Sequence, residues 1–263
     1  MEASPLQSTM FSSLGGIHHG ITRRAPGLEP AEANISYTAP RDQAAAWAMR
    51  QHWCSAMGID ASTLAVPRQV HGSDVAIATA SDAGAGATPG SSLFAGADGI
   101  ITNEHGVALM TTHADCLPIL MYAPGRQAVA AVHAGWRSTV TNVAGNTVSA
   151  MNNAFDVRAG DIHAFFGPAI CASCYEVGPD VVDAWGILGA GGGSDVIKRD
   201  AGRTMFDLVA ANQTLLLIAG VPIDQMDISN ICTKCNDGEW FTHRGQGPLT
   251  GRFGSIIALD SGL

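Results

Sequence analysis

The amino-acid sequence predicts a single α+β domain with mixed β-sheets. Apolar residues recur at helical spacing in several stretches, whereas other stretches are short apolar runs typical of strands. The strand-like runs between residues 64 and 133 follow one another too closely for a helix to lie between each pair, so we expect part of the sheet to be antiparallel. No stretch resembles an interdomain linker, and 263 residues can bury one sizeable core. Residues 1–263 are therefore predicted to form one domain.

The first half of the chain is predicted to hold one helix and most of the strands. Residues 1–30 are predicted to be irregular. Residues 41–57 have an apolar stripe that includes Trp47 and Trp53, and Gly58 suits the end of a helix there. Strand-like runs follow at LAVPRQV, DVAIATA, DGIIT, VALMTT, LPILMY and QAVAAVH.

The second half is predicted to alternate between helices and strands. In the first half, Gly, Ala and Ser dominate the stretch from Ser81 to Gly96, which favours a mobile loop, and in the second half the glycine run at 189–195 favours another. The remaining predicted elements are helices at 138–155, 179–188 and 205–219, and strands at DIHAFFG and GSIIALD.

Charge and composition exclude several classes of protein. The net charge of −9 argues against a general nucleic-acid or membrane-surface binder, since either needs a basic face. An anionic ligand must therefore meet a local cluster of arginines. We find neither the pattern of a signal peptide nor the ~20 apolar residues of a membrane span, so we expect a cytoplasmic protein. The sequence leaves open whether it is a monomer or a homodimer.

Three residues with metal-binding side chains stand at or just beyond the ends of strand-like runs. His71 lies in QVHGSDV, Cys116 in HADCLP and His133 in VHAGWR. Side chains at strand ends can converge at one edge of a sheet. Two imidazoles and one thiolate suit Zn²⁺, and three protein ligands leave a fourth position for water or substrate, as in catalytic zinc sites. No fixed spacing links the three, so each one could equally be a core residue.

Several motifs together resemble the YfiH family, also called laccase-domain or multicopper polyphenol oxidase proteins, which has the human relative FAMIN. The matching segments are RQVHGSDV, ADGIIT, THADCLPILMY, AVHAGWRSTV, FGPAICASCYEVG, ICT and TGRFGSIIAL, in that order along the chain. The resemblance implies a single domain of α/β/β/α type, with β-sheets layered between helices. It also implies a metal held by His71, Cys116 and His133.

The resemblance further implies a zinc-dependent enzyme acting on purine nucleosides. The expected reactions are phosphorolysis of adenosine, inosine, guanosine and methylthioadenosine, and deamination of adenosine. Some bacterial relatives are instead linked to removing a wrong amino acid from a cell-wall precursor. The expected partners are a purine nucleoside and phosphate, with neither nucleic acid nor membrane.

Phosphate binding calls for arginine in a partly desolvated pocket. Arg50 lies on the apolar stripe of its predicted helix, where an uncompensated charge is costly, so we expect it to face an anion. Arg137 stands at the start of the next predicted helix and could join it. Asn34 matches the asparagine of the family's SLNLG segment, and is expected either to bind ligand or to close a turn.

Deamination needs a group that transfers a proton while activated water attacks the purine ring. Asp115 is the acid nearest to Cys116 in sequence, and His113 shares its face if the strand is regular. Either one is a candidate for proton transfer, or for orienting a metal ligand.

Other function classes stay open at this point. Two histidines and a cysteine also suit copper, as in a polyphenol oxidase, but the nine histidines include no His-x-His pair for a trinuclear cluster. Cys116 could instead be the nucleophile of a metal-free hydrolase, with His133 or His71 as its base. A protein whose metal only stabilises the fold is a further alternative.

Two Cys-x-x-Cys pairs lie in the second half of the chain. They are Cys171 with Cys174, and Cys232 with Cys235. Paired in this way, cysteines can form a structural zinc site, but the gap between these pairs is far longer than in common zinc ribbons. The sequence therefore favours ordinary thiols over a second metal site or a disulfide.

Overall fold

The structure of the protein is a computed structural model that describes residues 4–28, 31–38, 41–189, 196–200 and 202–260. The helices are α1 (Thr9–Leu14), α2 (Gln43–Ala56), α3 (Trp136–Val140), α4 (Val143–Phe155), α5 (Pro179–Leu188), α6 (Leu208–Ile218) and α7 (His243–Gln246). The strands are β1 (Ile17–Ile21), β2 (Leu64–Ala65), β3 (Pro67–Arg68), β4 (Val75–Ile77), β5 (Phe94–Gly96), β6 (Gly99–Thr102), β7 (Ala108–His113), β8 (Leu117–Ala123), β9 (Ala128–Ala134), β10 (His163–Phe166), β11 (Ile197–Asp200), β12 (Arg203–Phe206), β13 (Met226–Ile228) and β14 (Phe253–Leu259). Across these ranges, no helix combines the length and the apolar character that crossing a bilayer requires.

Two sheets contain most of the strands. One has the order β1-β14-β7-β2, and the other has the order β13-β10-β8-β9-β6-β4. Both sheets are mixed: β2 with β7, β4 with β6 and β10 with β13 pair in parallel, and the other neighbours are antiparallel. The predicted mixed sheet is thus confirmed.

The two sheets pack face to face between layers of helices. Along β8, Leu120 and Tyr122 point into the core between the sheets, whereas Ile119 and Met121 belong to the core under α4 and α6. On the smaller sheet, Met110 of β7 belongs to the core under α2. The order of layers is helices, sheet, sheet, helix, so the predicted single-domain fold of α/β/β/α type is confirmed.

The central strands are buried on both faces, which explains their sequence. Every residue of β8 and β9 is buried. A strand covered on both sides shows a continuous apolar run rather than an alternation of apolar and polar residues. The runs LPILMY and QAVAAVH have this character, and both were predicted as strands.

The N-terminal segment is more regular than predicted. Residues 1–30 were expected to be irregular, but they contain α1 and β1. The hydroxyl of Ser8 accepts a hydrogen bond from Phe11 N at 3.1 Å and caps α1. β1 pairs antiparallel with β14, at the far end of the chain. This strand depends on a distant partner, so a local pattern does not reveal it.

Two predicted helices have different boundaries in the structure. The helix expected at 138–155 is two helices, because Asn142 adopts a left-handed conformation (φ 67°) between them. Its side-chain oxygen accepts from Gly145 N at 3.2 Å and caps α4. A Cβ at Gly145 would lie only 2.6 Å from that oxygen, so a larger residue there would displace the capping side chain. The helix expected at 205–219 begins at Leu208, because the preceding residues form β12.

The other predicted elements agree with the structure, except that one predicted loop contains a short strand. α2 lies within the helix predicted at 41–57, and α5 coincides with the helix predicted at 179–188. The loop predicted from Ser81 to Gly96 contains the short strand β5 at its end. Of the glycine-rich loop at 189–195, all but Gly189 lies outside the described residues.

Truncating Phe11 tests the packing of the N-terminal helix. Phe11 is 0 % exposed, and its ring lies against His19, Tyr122 and Phe165. We expect Phe11→Ala to lower the free energy of unfolding by about 3–5 kcal/mol, as for other buried aromatic residues. Leu14→Ala on the same helix is the matched control: Leu14 is 38 % exposed, and the expected loss is below about 1 kcal/mol. Chemical denaturation measures both, and equal losses would contradict the packing described.

Candidate metal centre

The candidate centre lies where the two large sheets are joined at one end. β7 belongs to the smaller sheet and β8 to the larger one, and Cys116 lies in the short link between them. His133 is on β9, opposite Pro118 of β8. His71 follows β3 in the turn that leads to β4. The fold thereby brings together three residues that are distant in the sequence.

The structure places all three predicted ligands within reach of one ion. A nitrogen of His71, a nitrogen of His133 and the Sγ of Cys116 lie within 4.8 Å of one another. The two imidazole rings are 5.0 Å apart and nearly perpendicular, at 88°. Perpendicular rings can direct nitrogen lone pairs toward one point without stacking on each other.

A buried aspartate that the sequence analysis did not select orients two of these ligands. Asp98 is 0 % exposed, and its Oδ1 accepts from Nδ1 of His133 at 2.7 Å. With its proton on Nδ1, the imidazole can offer Nε2 to a metal, and such carboxylate–histidine pairs are typical of metal sites. The available signal was the position of Asp98 in ADGIIT, a segment that resembles the family but was not read as part of the site.

The other oxygen of Asp98 holds the turn that carries His71. Oδ2 accepts from the backbone N–H groups of Val70 at 3.1 Å and of Gly72 at 2.7 Å. His71 between them has φ 58°, a left-handed conformation that is uncommon for a residue with a side chain. Such a conformation persists only where surrounding contacts enforce it. One carboxylate therefore sets the ring of His133 and the backbone of His71.

The charges of the centre shift the pKa values of its own residues. Burial opposes ionisation of the Cys116 thiol, but the charges and hydrogen bonds of His133 and His71 outweigh it and lower its pKa to about 6. For His133, burial opposes the charged form, but Cys116 and Asp98 outweigh it and raise the pKa to about 9. In the absence of a cation, the thiolate and the imidazolium stabilise each other. A divalent cation can replace the ring proton.

Gly135 leaves room beside the three ligands. A Cβ at this position would lie 3.1 Å from Sγ of Cys116 and 3.4 Å from Cδ2 of His71. A larger residue would press on both ligands. The site thus offers two nitrogen donors and one sulfur donor, with a carboxylate hydrogen-bonded to one imidazole and open space beside the donors. This set fits a metal ion with a free coordination position.

The centre opens into a cavity of about 900 Å³ that has a strong excess of positive charge. Its lining includes five arginines: Arg50, Arg68, Arg137, Arg244 and Arg252. Asp115 is the only acidic residue among the described residues that line it. The chain as a whole carries a net charge of −9. The local arginine cluster expected for an anionic ligand is therefore present.

Arg50 is buried as predicted, and its charge is balanced by neutral groups. It is 3 % exposed and lines the cavity. Nε donates to the carbonyl of Ile35 at 2.9 Å, and Nη1 donates to the carbonyls of Gly86 and Ala87. The guanidinium also lies 3.8 Å from the ring centre of Tyr37. Burial lowers the pKa of Arg50 to about 10, so it stays charged at neutral pH. The expected anion is thus not needed to explain its burial.

Arg137 and Asn34 occupy different surroundings. Arg137 is exposed on α3, lines the cavity and stacks on Trp136 at 4.2 Å. Asn34 lies outside the lining of this cavity. Its Oδ1 accepts from the backbone of Ser36 and Arg252, at 3.2 and 2.9 Å. Of the two roles considered for Asn34, closing a turn is the one this geometry favours.

The two candidates for proton transfer are also placed differently. Asp115 lines the cavity, and it lies beyond the end of β7 with a φ of 83°, so the regular strand that would place His113 on the same face does not extend to it. Asp115 accepts from Thr233 Oγ1 and from Arg244 N, both at 2.6 Å. Each carboxylate oxygen keeps a second lone pair for a ligand.

His113 lies behind the centre, away from the cavity lining. Its Nε2 bonds with the hydroxyls of Thr111 and Ser255 at 2.9 and 3.1 Å, and its Nδ1 lies 3.2 Å from the carbonyl of Cys116. Burial, followed by the nearby charge of His133, lowers its pKa well below the ordinary value. A neutral ring held at both nitrogens supports the link around Cys116. This placement favours a positioning role over the predicted proton transfer.

Comparisons of the sequence with known proteins identify the family of this chain. A family model described as multi-copper polyphenol oxidoreductase laccase matches residues 18–260. Over 190 residues, 72% of this chain and 69% of the relative, the sequence is 37% identical to purine nucleoside phosphorylase YlmD of Geobacillus stearothermophilus. It is also 32% identical over 197 residues to adenosine deaminase RL5 of an unknown prokaryotic organism, covering 74% of this chain and 75% of RL5.

A solved structure shows the same fold. The crystal structure of YlmD from Geobacillus stearothermophilus superposes with a TM-score of 0.89 at 28% identity, covering 98% of this chain and 100% of that one. The family model and the superposed structure thus both cover nearly the whole chain. The protein belongs to the laccase-like YfiH family, the family whose model carries the polyphenol oxidoreductase description.

Proposed function

We propose that the protein is a zinc-dependent purine nucleoside enzyme, which cleaves adenosine, inosine, guanosine and methylthioadenosine with phosphate and deaminates adenosine. The observation that carries this proposal is the shared cavity: three ligands for a metal open into a space lined by five arginines. A metal centre alone would fit many reactions. The arginines add a site for an anionic co-substrate, as phosphorolysis requires. Relatives named as a phosphorylase and as a deaminase support both reactions.

The arginines are assigned to phosphate. In phosphorolysis the bond from ribose C1′ to the base nitrogen breaks, a phosphate oxygen bonds to C1′, and the base nitrogen gains a proton. Arg137 and Arg68 line the cavity, and neither forms an ion pair with a described acidic residue. Their guanidinium groups are therefore available for a phosphate. Arg50 has Nε and Nη1 committed to carbonyls, so its contribution is chiefly its charge.

Asp115 is assigned to proton transfer in deamination. In this reaction the bond from C6 to the exocyclic nitrogen breaks, oxygen from water bonds to C6, and ammonia leaves. Zinc, when bound, supplies Lewis acidity that activates water at neutral pH. Asp115 is adjacent to Cys116 and is the described acid in the cavity lining, so it is the group placed to accept and return the proton. Thr233 and Arg244 hold its carboxylate in place.

Aromatic side chains in the cavity suit a planar base. Trp136 and Tyr175 both line it. Their faces can cover a purine ring, and stacking of this kind contributes about 0.5–1.5 kcal/mol beyond the area buried. Burial raises the pKa of Tyr175, so its hydroxyl keeps its proton and can donate a hydrogen bond.

Copper-dependent polyphenol oxidation is the weaker alternative, despite the family's description. Among the described residues, two groups of side chains could hold a metal: His71, Cys116 and His133, and a group of four cysteines. Neither supplies the many histidines of a trinuclear copper cluster. Zinc content measured alongside copper content decides between the two metals.

A cysteine hydrolase, including one that edits a cell-wall precursor, is favoured by one specific observation. His133 donates to Asp98 and lies beside Cys116, with the ring nitrogen and Sγ within 4.8 Å, and the pKa of the thiol is lowered to about 6. That arrangement would supply an activated nucleophile without metal.

Incubation of the protein with adenosine and phosphate, followed by product identification, tests the proposal: adenine shows phosphorolysis and inosine shows deamination. Turnover that persists after the metal is removed would favour the hydrolase.

Removal of the Cys116 thiol tests the metal assignment. We expect Cys116→Ala to lose one zinc ion per chain and to abolish both phosphorolysis and deamination, because only two nitrogen ligands remain. Cys54→Ala is the matched control, since Cys54 is buried in the core under α2, away from both metal-binding groups. Elemental analysis and product assays measure the result. Unchanged zinc content in Cys116→Ala would refute the ligand set.

Asp98 is expected to act through the ligands it orients. We expect Asp98→Asn to weaken zinc binding about 10- to 100-fold, because it removes the negative charge behind His133. Asp74→Asn is the control, since Asp74 is exposed in the same turn. Competition with a fluorescent zinc chelator measures both affinities. Equal affinities for the two variants would show that Asp98 does not tune the centre.

Replacement of Arg137 is expected to weaken phosphorolysis and to leave deamination unchanged. We expect Arg137→Ala to raise the KM for phosphate about 10-fold, which corresponds to the loss of one charge-assisted hydrogen bond at an exposed position. Deamination of adenosine uses no phosphate, so its rate is expected to stay within about twofold. Arg158→Ala is the control, since Arg158 pairs with Asp161 and lies outside the cavity lining. An unchanged KM for phosphate in Arg137→Ala would remove this arginine from the phosphate site.

A further inference from the structure

Two Cys-x-x-Cys pairs, remote in sequence, meet in the structure. Cys171 and Cys174 flank a single 3₁₀ turn, and Cys232 begins the segment that ends at Cys235. An isolated parallel bridge between Ala169 and Cys232 aligns the two segments. The four Sγ atoms all lie within 4.8 Å of one another, and those of Cys174 and Cys235 are 3.5 Å apart.

We propose that these four cysteines hold a structural zinc ion, at a second metal site separate from the centre formed by His71, Cys116 and His133. The site goes beyond the proposed enzymatic function and does not depend on it. Four thiolates are a closed ligand set for zinc, with no position left for water or substrate. Its role is therefore in the fold.

The dimensions of the cluster suit one ion. Zinc lies about 2.3 Å from thiolate sulfur, so a regular tetrahedron of four sulfurs has edges of about 3.8 Å. Mutual distances within 4.8 Å need only small rotations of side chains to reach that geometry. A [4Fe–4S] cluster binds each thiolate at a different iron and a [2Fe–2S] cluster binds two thiolates at each of two irons, so both need a wider cage. The compact arrangement therefore favours a single zinc ion.

Backbone N–H groups already point at one of the sulfurs. Cys171 N and Cys235 N donate to Sγ of Cys232, at 3.3 and 3.4 Å. These donors stabilise negative charge on the sulfur, which favours the thiolate that zinc binds. One donor comes from each segment. The two segments thus each direct one N–H donor at the Sγ of Cys232.

Hydrophobic burial does not explain why the four thiols lie together. Cys232 is buried, but Cys171 and Cys174 are half-buried and Cys235 is exposed. None of the four belongs to the hydrophobic core clusters formed by the described residues. Exposed thiols gain little hydrophobic free energy from contact with one another. A shared cation explains their convergence.

The site would fasten the loops that surround Asp115. In the first loop, Ile170 N donates to the carbonyl of Asp115 at 3.0 Å. In the second, Thr233 Oγ1 donates to its carboxylate at 2.6 Å. Asp115 directly precedes Cys116. An ion that joins the two loops therefore fixes the segment that carries a ligand of the first centre.

Zinc stoichiometry tests the proposal. We expect two zinc ions per chain in the wild type, one in Cys116→Ala and one in the double variant Cys171→Ser with Cys235→Ser. Cys54→Ala is the control and should keep two. One zinc ion in the wild type, with none in Cys116→Ala, would overturn the second site. A failure of the proposed function is seen separately, as missing turnover in a protein that holds two ions.

A measurement on the wild type decides the question if the double variant does not fold. With zinc present, we expect Cys171, Cys174, Cys232 and Cys235 to resist alkylation, and to react only after exhaustive chelation, as read by mass spectrometry. Cobalt in place of zinc should give the visible absorption of a tetrathiolate site, which Cys116→Ala retains. Rapid alkylation of all four thiols in the zinc-loaded protein, a disulfide between Cys174 and Cys235 under reducing conditions, or bound iron with sulfide would each refute the proposal.

Discussion

The hydrogen bonds of one buried carboxylate determine the geometry of the centre. Asp98 receives the ring N–H of His133 and two backbone N–H groups that flank His71. Burial alone would raise its pKa, but these donors outweigh burial and hold the pKa below the ordinary value. The carboxylate therefore stays charged inside the protein, where an unpaired charge would be strongly destabilising. It joins the start of β6, the end of β9 and the His71 turn.

The fold supplies the rest of the site through the passage from one sheet to the other. The chain leaves the smaller sheet at the end of β7 and enters the larger one at β8, and Cys116 lies in the few residues between. Asp115 takes a left-handed conformation at this crossing, and it is held by Ile170 and Thr233 of the two cysteine-containing loops and by Arg244 of α7. The site is rigid on one side because both sheets end there. On the other side it depends on loops with little regular structure.

Much of this could be predicted from the sequence, and what could not be predicted has a common cause. The central strands were predictable because burial on both faces leaves continuous apolar runs. The three candidate ligands were selected from donor chemistry and from motifs, and the structure brings them together. Three features could not be predicted, because each depends on a partner far along the chain. They are strand β1, the orienting role of Asp98 and the proximity of Cys171 to Cys232. For the same reason, the sequence did not reveal that three backbone carbonyls balance the charge of Arg50.

The distribution of charge links the proposed reactions to a single cavity. A chain with a net charge of −9 places five arginines around one space, and Asp115 is the acid on its described lining. Such a concentration of positive charge favours an anionic ligand, which supports the proposed phosphate site. Phosphate would occupy the arginine side and the nucleoside would lie between it and the metal ligands. In the proposed function, the bond that breaks depends on whether C1′ meets phosphate or C6 meets activated water, so the same residues would serve both reactions.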